Sequence, residues 1–156
     1  MKTLKTILLV LTAGTALATA ASCTKQQINE TFSMDKLVGT YEYTETLTTT
    51  VGNAAAETTK STGTLVISER DAYSVNLSGW IAKGGSFNPS QALLSVSAVS
   101  VNDGKTMIDY TFEPSKVSLV KDAITIKFSG SGYKLTATGG PGERMEVSGT
   151  LEGKKK

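Results

Sequence analysis

Histidine is missing from all 156 residues of this chain. Its absence removes the Ser-His-Asp and Cys-His mechanisms, zinc sites built on imidazole, and the usual proton shuttle near neutral pH. Cysteine occurs once, as Cys23, so no internal disulfide forms and stability has to come from a packed core. Arginine is confined to Arg70 and Arg144, and the lysines of the body stand singly. A nucleic-acid binder needs clustered cations facing phosphates, so that class is a poor fit. Helical periodicity is lacking too. Beyond residue 22 no window sustains an apolar repeat of 3.6, which disfavours βαβ architectures.

What is present begins at the N-terminus. Met1-Lys2-Thr3-Leu4-Lys5 is a short basic start, Ile7 to Leu17 carries no charge, and Ala20-Ala21-Ser22 sets three small residues directly before Cys23. That order predicts a secretory signal over residues 1–22 ending at a small-residue cleavage site. The apolar run is interrupted by Thr and Gly and is short for a bilayer span, which needs roughly 20 apolar residues. The segment resembles a bacterial lipoprotein signal, which implies acylation of Cys23 as the mature N-terminus. Plain secretion with an unmodified Cys23 is the alternative. Lys2 and Lys5 account for the whole formal charge of +2, so the remainder is neutral, and Lys154, Lys155 and Lys156 carry part of its positive charge. The body between is therefore mildly acidic.

Residues 23–36 are polar and read as a tether, in which Ser33-Met34-Asp35-Lys36 makes one helical turn with Ser33 as its cap. From 37 to 153 strand signals dominate: Thr, Val, Ile and aromatic residues alternate in short runs between Gly, Asn, Asp and Pro. Tyr73, Val75 and Leu77 share one face of their run, as do Ile108, Tyr110 and Phe112, and Ile124, Ile126 and Phe128. Asn102-Asp103-Gly104-Lys105 is a hairpin turn. Residues 79–89 form a long loop or a short crossing strand, Gly130-Ser131-Gly132 breaks two strands apart, and 154–156 is a solvated basic tail. The prediction is an all-β domain, an antiparallel meander of about eight to ten strands closing into a barrel, with a β-sandwich as the alternative.

Together with the N-terminal signal, three stretches carry a family resemblance: the Leu37-Val38-Gly39-Thr40-Tyr41 opening, the hairpin from Gly63 to Trp80, and the closing Gly149-Thr150-Leu151-Glu152-Gly153. They resemble small lipocalin-like (calycin-like) lipoproteins of Bacteroides-type bacteria, as a rhythm of strands over most of the mature chain. Lipocalins open with Gly-x-Trp, whose Trp closes the barrel floor; Gly39-Thr40-Tyr41 offers Tyr41 at that place. Ile108-Asp109-Tyr110 resembles the Thr-Asp-Tyr of that superfamily. The resemblance implies a barrel and an envelope address, and no reaction. Thr24-Lys25-Gln26-Gln27 lacks the acidic cluster that looks like a surface-export signal. The resemblance therefore implies an outer-membrane lipoprotein facing the periplasm, with the cell surface or secretion as alternatives.

Tyr41, Tyr43, Trp80, Tyr110, Phe112 and Phe128 are expected to meet in one interior or at its rim, either filling it or lining a ligand cavity. Carboxylates lie near one another in sequence at Asp109 and Glu113, Glu42 and Glu45, and Glu143 and Glu146. Acid–base hydrolysis would need two of them held across a substrate. Ser33-Met34-Asp35-Lys36 matches the spelling Ser-x-x-Lys, and Lys60-Ser61-Thr62-Gly63 echoes Lys-Thr-Gly, but such enzymes place that Ser at a helix start in a large mixed domain. Neither Gly130-Ser131-Gly132 nor Gly139-Gly140-Pro141-Gly142 leads into a phosphate-binding helix. Asn102-Asp103-Gly104 lacks the remaining oxygen ligands of a calcium loop. No metal or cofactor is expected. The expectation is a non-enzymatic, lipid-anchored barrel that binds a small or apolar ligand or serves as an interaction module, with a carboxylate-based hydrolase as the alternative. Cys23→Ala is expected to release the protein into a soluble fraction or leave its precursor uncleaved, read by fractionation and intact-mass measurement of protein from native membranes.

Overall fold

The computed structural model describes residues 32–118 and 122–156; the signal, Cys23 and residues 24–31 lie outside them, as do residues 119–121. Among the described residues a single helical turn, α1 (Met34–Leu37), leads into ten strands. These are β1 (Gly39–Val51), β2 (Glu57–Asp71), β3 (Ser74–Ser78), β4 (Gly84–Asn88), β5 (Leu93–Val96), β6 (Val99–Asn102), β7 (Thr106–Glu113), β8 (Ser115–Ser118), β9 (Ala123–Leu135) and β10 (Pro141–Lys155). Every pairing is antiparallel, and β10 pairs with both β9 and β1, so the sheet returns to its first strand. The result is a closed eight-stranded barrel of β1, β2, β3, β4, β5, β8, β9 and β10, with β6 and β7 added to it. Closure decides between the two expected architectures in favour of the barrel.

The hairpin β6–β7 continues β5 and β8 upward. Leu93 pairs with Lys116, and Val99, six residues on, pairs with Tyr110, six residues back, so one register runs through both interruptions. Each strand changes its inward side once. On β5 the buried residues are Leu94 and Val96, whereas on β6 Val99 and Val101 turn in, with Ser97 and Ala98 exposed between them. Opposite, Ile108, Tyr110 and Phe112 face in before exposed Glu113-Pro114, and Ser115 and Val117 after it. Proline has no N–H to give to a ladder, which suits it to such an interruption.

Alternation fills the interior elsewhere. Tyr41, Leu65, Ile67, Val75, Leu77, Ile124, Ile126 and Leu151 are buried at the level of the floor. The floor itself is sealed by Leu37, fully buried at the start of the expected barrel domain, and by Phe32 of the segment expected to be a tether, which packs edge-on to Phe87 with ring centroids 5.5 Å apart. The helical turn is present, with Ser33 at its N-cap but without a side-chain cap hydrogen bond. At the other terminus the tail expectation is corrected. Lys154 and Lys155 belong to β10, Lys155 Nζ donates to the Lys36 carbonyl at 2.7 Å, and Lys156 pairs with Glu42 at 2.8 Å.

One glycine reading changes as well. Gly130-Ser131-Gly132 lies inside β9 rather than between strands, because its glycines face inward where neighbours crowd them. A Cβ on Gly130 would sit 2.8 Å from Val147 Cγ2, and one on Gly132 would strike the Met107 carbonyl. Gly149 on β10 gives its place to the ring of Phe128, its cross-strand partner. Gly149→Ala is therefore expected to lower unfolding stability by about 1–3 kcal/mol through overpacking, measured as a drop in urea midpoint at unchanged slope.

Candidate functional site

The barrel wall is of unequal height. β1 and β9 have 13 residues and β2 and β10 have 15, but β3 and β4 have 5 each. β3 pairs with β2 between Val66 and Asp71 only, so among the described residues the outer edge of β2 from Glu57 to Leu65 has no strand partner. β6 likewise pairs with β7 and no other described strand. Between these two edges, above β3 and β4, the rim has a notch. Two strand positions are vacant there, so at the usual strand spacing the notch is about 14 Å wide.

The β3–β4 connection turns into this gap. Gly79 adopts φ +83°, a left-handed conformation that suits glycine, and the next residue, Trp80, points inward. Its ring stands edge-on to Phe112 at 5.4 Å and to Phe128 at 5.6 Å, while Phe128 meets Tyr110 at 6.0 Å and Phe112 at 5.8 Å. Four of the six expected aromatic residues thus form one plug across the barrel. Tyr43 joins its margin by donating its hydroxyl to the Gly79 carbonyl at 3.2 Å. Tyr41 stands apart at the floor, 1% exposed, where its hydroxyl donates to the Leu37 carbonyl at 2.6 Å.

One carboxylate faces this plug. Tyr41, Tyr43, Glu45 and Leu47 lie two residues apart along β1, so Glu45 shares the inward side. Trp80 Nε1 donates to Glu45 Oε1 at 2.8 Å, and Ser61 Oγ, directly across on β2, donates to Oε2 at a long 3.4 Å. The Tyr110 hydroxyl, on a side chain only 9% exposed, has no hydrogen-bond partner among the described residues. Burial first, then the charges of Glu45 and Asp103, push its pKa up. Burial and then Glu45 do the same to Tyr43.

Above Glu45 the inward side is apolar. Leu47, Val51, Val99 and Val101 are half-buried against the core, with Ile81 beside Trp80. Of this strip, Val51 borders an open cleft of about 590 Å³ with Thr49, Ala54, Glu57, Lys134 and Glu143, and Val99 borders another of about 540 Å³ with Arg70 and Lys83.

The carboxylate pairs do not converge. Glu42 and Glu45, three apart on a strand, face opposite sides, and Glu42 holds Lys156 outside the barrel. Asp109 and Glu113 are both exposed on the outer side of β7, across from Ser131 and Lys127. Glu146 pairs with Arg144 at 3.2 Å, while Glu143 borders the cleft. Ser33 and Lys36 sit at the floor, whereas Lys60 to Gly63 lie toward the rim. Among the described residues no group of three acids or thiols is arranged to hold a metal.

Ser61 and the strip of Leu47, Val51, Val99 and Val101 did not emerge from sequence, and Glu45 emerged only as half of an acidic pair with Glu42. The spacing of Glu45 from Tyr41 and Tyr43 was the available signal, masked by its nearness to Glu42. The fold and the site define a closed antiparallel barrel with a plugged middle and a notched rim. Compared with known protein families and with curated proteins, the chain matches none.

Tyr41 generates a pH dependence. Burial and then the charge of Asp122 push its pKa up to about 12. Its contribution is complete below the unfolded-state value of about 10, where the phenol is neutral in both states, and fades as pH rises through the folded value. Unfolding stability is expected to fall between pH 10 and 12, by about 1.4 kcal/mol per pH unit at most. Urea midpoints across that range check this, and Tyr41→Phe should remove the dependence due to this group.

Proposed function

We infer that this barrel is a non-catalytic binding protein of the bacterial envelope, held by a lipid on Cys23, and that its ligand enters the rim notch. The observation carrying the reading is the missing height of β3 and β4. It leaves half-buried apolar side chains open to the outside, directly above an aromatic plug. Concave apolar surface with a few convergent polar groups is the general form of a small-molecule site. Glu45, Ser61 and the Tyr110 hydroxyl supply those groups.

Two further observations support parts of this reading. The scattered carboxylates favour binding over hydrolysis, because acid–base cleavage requires two acids facing one substrate. Phe32 lies at the floor, at the opposite end of the barrel from the notch. Cys23 precedes it by nine residues, a reach of at most roughly 30 Å. A lipid there would keep the floor near the bilayer and turn the notch away from it, toward the periplasm.

A second reading, an interaction module, draws on the unpaired edge of β2, where an extended segment of another protein would add as a strand. Lys60 in the middle of that edge disfavours strand addition, so the ligand reading is preferred. The test is titration of the full chain with the neutral dye N-phenyl-1-naphthylamine, following dye emission and quenching of Trp80. Saturable binding is expected, reduced about tenfold or more in Leu47→Glu, which sets a charge in the apolar strip. Absence of saturable binding, or affinity unchanged by Leu47→Glu, would defeat the notch as a ligand site.

A further inference from the structure

The side chains of the notch also specify the kind of ligand. The charged groups on its inward side are Glu45 at the base and Glu57, Lys134 and Glu143 at the upper cleft, an excess of negative charge. Lys83 is exposed, its amine donates to the Trp80 carbonyl at 3.2 Å, and with Arg70 it lines a separate cleft of about 540 Å³ that Val99 also borders, away from Glu45 in the sheet. A carboxylate offers about four acceptor positions. Glu45 uses one well, toward Trp80, and a second poorly, toward Ser61. Two tyrosines stand near enough for its charge to act on their phenols, and one of these, Tyr110, has a largely buried ring whose hydroxyl reaches solvent and bonds to no described residue.

A half-satisfied carboxylate among three aromatic side chains is the surrounding that an organic cation selects. The carboxylate supplies charge and the ring faces supply quadrupole attraction. The strip above it, Leu47, Val51, Val99 and Val101, is apolar and leads away toward the cleft. An anionic headgroup would meet repulsion at the base and again at Glu57 and Glu143. A purely apolar ligand would leave Glu45 and the Tyr110 hydroxyl under-satisfied in a desolvated place, which costs binding energy.

We propose that the notch takes a cationic amphiphile, an amine or quaternary ammonium with an alkyl tail, seating its cation at Glu45 beside Tyr43 and Tyr110 and its tail along the valine–leucine strip. This rests on the reading of the notch as a ligand site and adds the sign of the ligand's charge. Trp80, the sole tryptophan, reports on the site because its indole donates directly to Glu45.

The experiment titrates the full chain with three twelve-carbon probes below their micelle thresholds: dodecyltrimethylammonium, dodecyl maltoside and dodecyl sulfate. Trp80 emission is followed at low and high salt. The cationic probe is expected to bind about tenfold tighter than the neutral one and to weaken with salt, with the anionic probe weakest. Glu45→Gln, which keeps an acceptor for the indole, should bring the cationic probe to the affinity of the neutral one. Glu57→Gln/Glu143→Gln, on the exposed rim, should reduce the cationic preference about two- to threefold and serves where the Glu45 variant does not fold. Equal affinity for cationic and neutral probes would overturn the charge assignment and leave the ligand site standing. A preference for dodecyl sulfate would overturn it too. Failure of all three probes to perturb Trp80 would remove both readings.

Discussion

The structure depends on β10 pairing along both of its edges, with β9 on one side and β1 on the other. Without the second pairing the meander would be an open sheet, its inward side exposed to water. With it, β1 and β2 are held as a tall wall far above the point where β3 ends. The pairing of β1 with β10 runs from Tyr41 opposite Lys155 to Val51 opposite Met145, the whole height of the barrel. The lower rungs enclose the core around Leu65, Ile126 and Leu151. The upper rungs carry Glu45, Leu47 and Val51 into the notch. Core and site are therefore two levels of one ladder, and neither is held by a separate loop.

The Trp80 plug follows from that arrangement. A wall lowered on one side would let water down to the core unless something covered it. The chain covers it with the connection between the two short strands. Burying an indole leaves its N–H in need of an acceptor, and the nearest inward residue on the tall wall supplies a carboxylate. Glu45 in turn keeps one oxygen poorly satisfied, at the boundary between plug and notch. The packing requirement of the core and the polarity of the site thus meet in a single hydrogen bond.

Much of this is legible in the amino-acid sequence. Alternation at Tyr73-Val75-Leu77, Ile108-Tyr110-Phe112 and Ile124-Ile126-Phe128 identified inward faces, and the lack of helical period identified the class. Trp80, Tyr110, Phe112 and Phe128 stand ring to ring, whereas Tyr43 reaches only the Gly79 carbonyl beside them and Tyr41 stands at the floor. What stayed hidden depends on distances between strands far apart in the chain. Gly130 and Gly132 look like chain breakers in one dimension; in three they are inward positions where Val147 and the Met107 carbonyl come close. Nothing local to Lys154 and Lys155 signals that β1 waits beside them. Glu45 reads as half of an acidic pair by its nearness to Glu42, although alternation along β1 sets it on the face of Tyr41 and Tyr43. The notch was least accessible of all, since it arises from the lengths of β3 and β4 relative to strands as far away in the chain as β10.

The paired interruptions at Ser97-Ala98 and Glu113-Pro114 have a consequence for how this chain tolerates change. Each shifts its strand to the other face, yet together they leave the hairpin register intact. Composition at these four exposed positions is consequently loosely constrained, while length is not. Excising one residue from either kink alone would leave plain alternation in that strand but put it one residue out of register with its partner, whose own extra residue would then have to bulge. Insertions and deletions tolerated here should come as compensating pairs, one in each partner, so that variation in this hairpin is correlated across the ladder rather than local to a site.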